Sequence, residues 1–194
     1  MTGTPVPVSQ IFSHKLDHFV TEVYYDVETQ LSADEVGGWQ NVHLMRVSLA
    51  ITWSSADGFL RWDEQAVTSM IDYLSRFDRI VSFNGDGFDS RVLSRYGNTS
   101  LITIKSFDVL ADLKARLGHK LSLQSVGKVT LGAGKSADGL LALQWWKEGK
   151  VDLIAQYCQQ DVQMLVDIVE FGRDFGHVLY EDKNGNVKQV AVQW

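Results

Sequence analysis

A chain of 194 residues can bury one sizeable core and is short for two domains. Its 45% hydrophobic and 22% charged residues are those of an ordinary soluble globular protein, and no apolar run is long enough to span a membrane. A formal net charge of −6 excludes a protein that coats polyanions through bulk electrostatics, though not one that takes a single strand end into a local site.

In chain order, the segment MTGTPVPVSQIFSHK holds both prolines and lacks the apolar run of a signal peptide, so residues 1–15 are expected to form an arm. Residues 16–176 are expected to form the domain and 177–194 an appended hairpin. FVTEVYYDV reads as a strand from its Val, Phe, Tyr and Thr content, and LSADEVGGWQN as a loop. VHLMRVSLAITW is a second strand, with GFLRW its hairpin partner after the turn at Asp57 and Gly58. From Asp63 to Phe77, Ala66, Val67, Met70, Ile71 and Leu74 recur at helical spacing, with Asp63 as the N-cap. RIVSFN is a short buried strand, followed by a helix over 89–96. LITIKSFDVL predicts a further strand leading into a helix that ends near Gly118.

Helical segments follow at 121–131 and 138–148. A longer one, 151–172, carries the apolar stripe Val151, Ile154, Ala155, Cys158, Val162, Leu165, Val166 and Val169. The tail VLYEDKNGNVKQVAVQW reads as a hairpin around Asn184-Gly185. Antiparallel strands first, then alternating helices and strands, give an α/β fold with a mixed sheet flanked by helices.

Three short patterns carry the chemistry. YYDVETQ places Asp26 and Glu28 two residues apart, on one face of a strand, where they repel each other unless something positive lies between them. NGDGFD places Asn84 and Asp89 just after a buried strand, where α/β sheets put their ligands. YCQQD places Tyr157 and Asp161 four residues apart on one helical face. Taken singly, each has a plainer reading: surface carboxylates at a strand end, a helix N-cap at Asp89, a Tyr packed on its own helix beside a solvated Asp.

Together, Asp-x-Glu, Asn-x-x-x-Phe-Asp and Tyr-x-x-x-Asp, in that order and spanning residues 26–161, resemble the DEDD superfamily of 3′–5′ exonucleases. The tyrosine resembles that of the DEDDy branch, which includes the proofreading domains of family A and family B DNA polymerases. The other branch carries a His five residues before the final Asp, where this chain has Gln156. The resemblance implies a ribonuclease-H-like fold and a metal-dependent exonuclease that hydrolyses the 3′-terminal phosphodiester of DNA or RNA and releases nucleoside 5′-monophosphates. It implies two divalent cations, Mg²⁺ or Mn²⁺, gathered by Asp26, Glu28, Asp89 and Asp161, with Tyr157 orienting the attacking water. Hard oxygen donors suit those ions. Asp26 would bridge both ions, Glu28 and Asp161 would hold the first, and Asp89 would serve the second.

Around these lie weaker candidates. Trp39 offers a face on which a terminal base can stack, and Phe88 can wedge against the last nucleotides, with packing as the plainer reading of each. Lys135 in LGAGKS can meet substrate phosphate; the segment is not a Walker A loop, because position 129 is Val129. Thr29 and Asn84, beside the acids in sequence, complete the candidate substrate contacts. Asp108 is a helix N-cap in preference to a further acid of the site. Trp145 and Trp146 lie about 100° apart on a helix, so one is expected buried and the other partly exposed. The five His show no metal-ligand spacing, and Cys158 reads as an inert core thiol. A single cysteine also excludes an internal disulfide framework and points to the reducing cytoplasm. The expected partner is a nucleic-acid 3′ end, with room for a helicase or polymerase that delivers it and with no membrane. Two rival readings stay open: a structure-specific endonuclease on the same fold, and a non-catalytic module that binds nucleic acid or a helicase.

Overall fold

A computed structural model describes residues 20–132 and 139–194. The expected arm and Lys135 lie outside the described residues. A five-stranded sheet has the spatial order β3-β2-β1-β4-β5. β1 (Glu22–Thr29), β2 (Val47–Ser54) and β3 (Gly58–Asp63) are antiparallel neighbours. β4 (Arg79–Ser82) and β5 (Ser106–Asp108) continue the sheet in parallel from the other side of β1. β1 is therefore central, and its side chains alternate between two buried cores. Tyr24 joins Leu49, Ile51 and Val81 beneath the long helix α7 (Val151–Phe175), where Ile154, Val162 and Leu165 close the layer. Val23, Tyr25 and Val27 face the opposite core with Ala50, Met70 and Leu74. That second core is covered by α1 (Val67–Leu74) and α2 (Asp89–Leu93).

The remaining helices are α3 (Ser100–Ile104), α4 (Val109–Leu117), α5 (Leu123–Thr130) and α6 (Gly139–Lys147). α4 ends at Gly118, whose φ of 78° takes the left-handed turn that favours glycine. β6 (His177–Glu181) and β7 (Val187–Ala191) form a separate two-stranded hairpin. It packs on α5, and the Thr130 hydroxyl both donates to the Leu179 carbonyl (3.1 Å) and accepts from the Leu179 amide (3.0 Å).

Several local expectations change. Val42–Leu44, expected in the second strand, belong to a 3₁₀ segment over Trp39–Leu44; Arg46 then takes φ 59°, and the strand starts at Val47. Leu101–Ile104, expected as strand, are helical: the Asn98 side chain accepts from the Ser100 amide (2.9 Å), and only Ile102 of the run is buried. The strand there is confined to Ser106–Asp108. Asp63 precedes a 3₁₀ turn over Glu64–Ala66 but makes no capping bond, because its carboxylate faces Arg61 (3.3 Å). Helix α2 stops at Leu93, short of the expected Tyr96, and α7 runs three residues beyond Gly172.

Candidate active site

The site is built where β1 outruns its parallel neighbour. The β1–β4 ladder ends at Tyr24 opposite Val81, so the backbone beyond it needs other partners. The Val27 amide donates to Asp89 Oδ1 at 3.0 Å, which sets the first residue of α2 against the middle of Asp26-Val27-Glu28. Asp89 is thus not the N-cap of its helix; Phe88 holds that position, and the Asp89 carboxylate is buried against β1. On the other side of β1, Glu28 lies opposite Leu49 and Thr29 opposite Val47, so Ser48 is an extra residue. Such a bulge re-aims the strand locally, directly beside Glu28.

The loop that delivers Asp89 is tied down from behind. Asp108 caps α4 by accepting from the Ala111 amide (3.2 Å), as expected, and the same carboxylate accepts from the amides of Asn84 (2.8 Å) and Asp86 (3.2 Å). Asn84 takes φ 71°, and its carbonyl accepts from Gly87 and Phe88. At Gly85 a Cβ would overlap Ser82 Oγ, so only glycine lets the loop pass this close to the end of β4.

Helix α7 crosses the same face of β1 and contributes Tyr157, Cys158 and Asp161, all buried. The Cys158 thiol donates to Asp26 Oδ2 (3.3 Å), so this cysteine lies in the core as expected but against the first acid of the site. Gln124 Nε2, from α5, donates to Asp161 Oδ1 at 2.8 Å. Trp145, on α6, packs edge-on to Tyr157 with ring centroids 6.3 Å apart. Trp145 and Trp146 are both half-buried, so the one expected to be partly exposed is so and the one expected to be buried is not: the first meets Tyr157, and the second lines a groove with Arg61 and Val151.

The four carboxylates feel one another. Burial, reinforced by the charge of Asp161, pushes Asp26 up to about 7. Burial followed by the Asp26 charge raises Glu28 and Asp89 well above the usual carboxylate range. Burial, then Asp161, Glu28 and Asp26, raises the Tyr157 hydroxyl as well, so it keeps its proton at neutral pH. Among the described residues no Lys, Arg or His pairs with Asp26, Glu28 or Asp89. Nor do three acidic, His or Cys side chains among the described residues close on one point as ligands of a single ion. Asp26 and Asp89 are each drawn to a separate neutral donor, the Cys158 thiol and the Val27 amide, and Asp161 accepts from Gln124. The donor set nonetheless suits hard divalent cations, being carboxylate oxygen alone with a neutral hydroxyl beside it.

Beside Glu28 opens a cleft of about 480 Å³. Its wall is mostly apolar: Phe88, Trp39, Leu31, Met45, Leu140 and Leu143, with Thr29 at the end of β1. Trp39 is 67% exposed and packs edge-on to Phe88 with centroids 6.3 Å apart. Arg91 of α2 holds the Trp39 segment by donating to the carbonyls of Trp39 (3.3 Å) and Gln40 (3.2 Å). Thr29, Trp39 and Phe88 therefore meet at the cleft, whereas Asn84 is not among its lining residues.

Residues 23–172 match the RNase H superfamily. The chain belongs to that superfamily. Its fold resembles the family B DNA polymerase of the hyperthermophilic archaeon Pyrobaculum calidifontis, with a TM-score of 0.60 and 15% identity over 89% of this chain. The match spans 25% of the polymerase's length. No curated protein sequence matches the chain.

Gln124, the thiol contact of Cys158, the edge-on Trp145 and the bulge at Ser48 escaped the sequence reading. Each depends on an approach between segments distant in the chain, 37 residues for Gln124 and 132 for Cys158, which no local spacing encodes.

Proposed function

We propose that the protein is a metal-dependent 3′–5′ exonuclease of the DEDDy type, removing nucleoside 5′-monophosphates from the 3′ end of DNA or RNA. One observation carries the reading: β1, α2 and α7 bring Asp26, Glu28, Asp89 and Asp161 together with Tyr157, and no described basic side chain pairs with Asp26, Glu28 or Asp89. Four buried or half-buried carboxylates are a costly arrangement unless cations share the site. Asp26, Glu28, Asp89 and Asp161 would hold two Mg²⁺ or Mn²⁺, which when bound supply charge neutralisation, a lowered water pKa and stabilisation of the leaving oxygen.

The chain's own groups do the rest. Tyr157, protonated at neutral pH, is unsuited to be a base; its hydroxyl orients the attacking water in line with the phosphorus. The terminal nucleoside enters the cleft beside Glu28, its base between Trp39 and the apolar wall of Phe88, Leu140 and Leu143, with Thr29 below. Asn84 shapes the loop that carries Asp89, and Lys135 is a phosphate contact in this reading. The likeness to a polymerase supports, as a proposal, a polymerase or helicase that hands over the 3′ end.

The test is a denaturing gel of 5′-labelled single-stranded DNA and RNA with Mg²⁺, Mn²⁺ or EDTA, run beside an Asp26→Asn, Asp161→Asn variant. A ladder shortening from the 3′ end, absent with EDTA and in the variant, is expected. A discrete internal cut would move the reading to an endonuclease. No cleavage with no metal binding would leave a binding module.

A further inference from the structure

Three acids of the site share one feature. Asp26 Oδ2 accepts from the Cys158 thiol, Asp89 Oδ1 from the Val27 amide and Asp161 Oδ1 from the Gln124 amide nitrogen. All three donors are neutral. A neutral donor fixes a carboxylate's orientation without bringing a positive charge of its own. Two of these donors belong to the elements that carry the acids, β1 and α7. Gln124 alone comes from elsewhere, on a helix bearing none of the four.

That helix is held in place along its length. Ser122 and Ser125 form a reciprocal capping box at its start (3.1 and 3.2 Å). Gly127 lies so close to α7 that a Cβ there would overlap Met164 Sδ. Thr130 bonds both polar groups of Leu179 at the far end. Gln124 and Gly127 are three residues apart, as are Asp161 and Met164, so one turn of α5 lies along one turn of α7. The close approach at Gly127 lies one turn from the bond between Gln124 and Asp161. An ionised carboxylate only accepts, so the amide nitrogen of Gln124 faces Asp161.

We propose that Gln124 is a positioning residue for the metal-holding Asp161: it fixes the plane of that carboxylate before a cation arrives. The inference rests on the metal-dependent reading given above. A carboxylate gripped at one oxygen cannot rotate about its Cβ–Cγ bond without losing the bond, so less ordering is left for cation binding to supply. Removing such a partner behind a ligand typically weakens metal binding by about 10–100-fold.

The experiment titrates Mn²⁺ calorimetrically into the full chain and into Gln124→Met and Gln124→Ala, with melting temperatures recorded in EDTA. Gln124→Met keeps the bulk and loses the donor. The expected result is Mn²⁺ binding about tenfold weaker in both variants, with melting in EDTA within about 2 °C of wild type. The Mn²⁺ concentration for half-maximal cleavage rises in parallel, while the rate at saturating Mn²⁺ stays within about threefold. Wild-type affinity in Gln124→Met overturns the proposal, as does a lowered melting temperature with unchanged affinity, which is the mark of a packing role. Absence of Mn²⁺ binding in the wild-type chain overturns the metal-dependent reading itself, and this inference with it; that outcome differs from the others because wild type and variants then behave alike.

Discussion

Strand β1 carries acids at both ends, and the two ends are solved differently. At the start, Glu22 is held by Arg173 (2.7 Å) and Arg79 (3.3 Å), two cations from α7 and β4. Four residues on, Asp26 points to the same face and meets the same helix, yet α7 offers it a thiol, a tyrosine and another aspartate. Both are carboxylic acids on one strand facing one helix; their neighbours differ. The Glu22 end is an ordinary ion-pair network that supports the fold. The Asp26 end gathers like charge that weakens the fold, a cost that proteins retain at functional sites.

The sharpest way to break this comparison is to neutralise one acid at each end. Asp26→Asn is expected to reduce nuclease activity by about a thousandfold or more, as loss of a metal-holding carboxylate does. Glu22→Gln leaves activity within about twofold and lowers the melting temperature by a few degrees, because Arg79 and Arg173 then face each other without their shared partner. Equal losses of activity at both ends would remove the distinction.

A smaller effect comes from a third acid, also paired. Glu64 receives Arg46 (2.7 Å), Tyr96 (2.7 Å) and Gln30 (2.8 Å), and the bonds from Arg46, ahead of those from Tyr96 and Gln30, hold its carboxyl down to about 2. A carboxyl depressed in the folded state stabilises it above the unfolded value of about 4.3, and that contribution fades as pH falls from there toward 2. Since Arg46 is nearly half exposed, less than about 1 kcal/mol is expected. The melting-temperature gap between wild type and Glu64→Gln should be present at pH 6 and close on acidification to pH 2.5. A gap that widens with acid would reverse the sign of the argument.

Much of this was legible in the sequence because it rests on local pattern. The strand rich in Val and Tyr, the stripe Ile154–Val169 and the turn at Gly185 are set by side-chain period and by positive φ. The mixed sheet follows from their order. Ile104 shows the limit: it belongs to a β-branched run read as strand that is helix, is itself 77% exposed, and pairs with no described strand. The four acids and Tyr157 announced themselves by type and spacing. What orders them did not. Gln124 reaches Asp161 across 37 residues of sequence, where α5 packs against α7 at Gly127, and Asp108 holds the Asp89 loop through backbone amides that any residue would present.

The most direct measurement is the melting temperature of wild type, Asp26→Asn and Glu22→Gln, each in EDTA and in saturating Mn²⁺. Without metal, Asp26→Asn should melt a few degrees above wild type, since removing one charge relieves its neighbours. At about 100 times the dissociation constant, Mn²⁺ should stabilise wild type and Glu22→Gln by about 2.7 kcal/mol, or roughly 5–10 °C, and Asp26→Asn by far less. A Mn²⁺ shift in Asp26→Asn as large as in wild type, or no shift in wild type, would contradict the assignment of this end of β1 as the cation site.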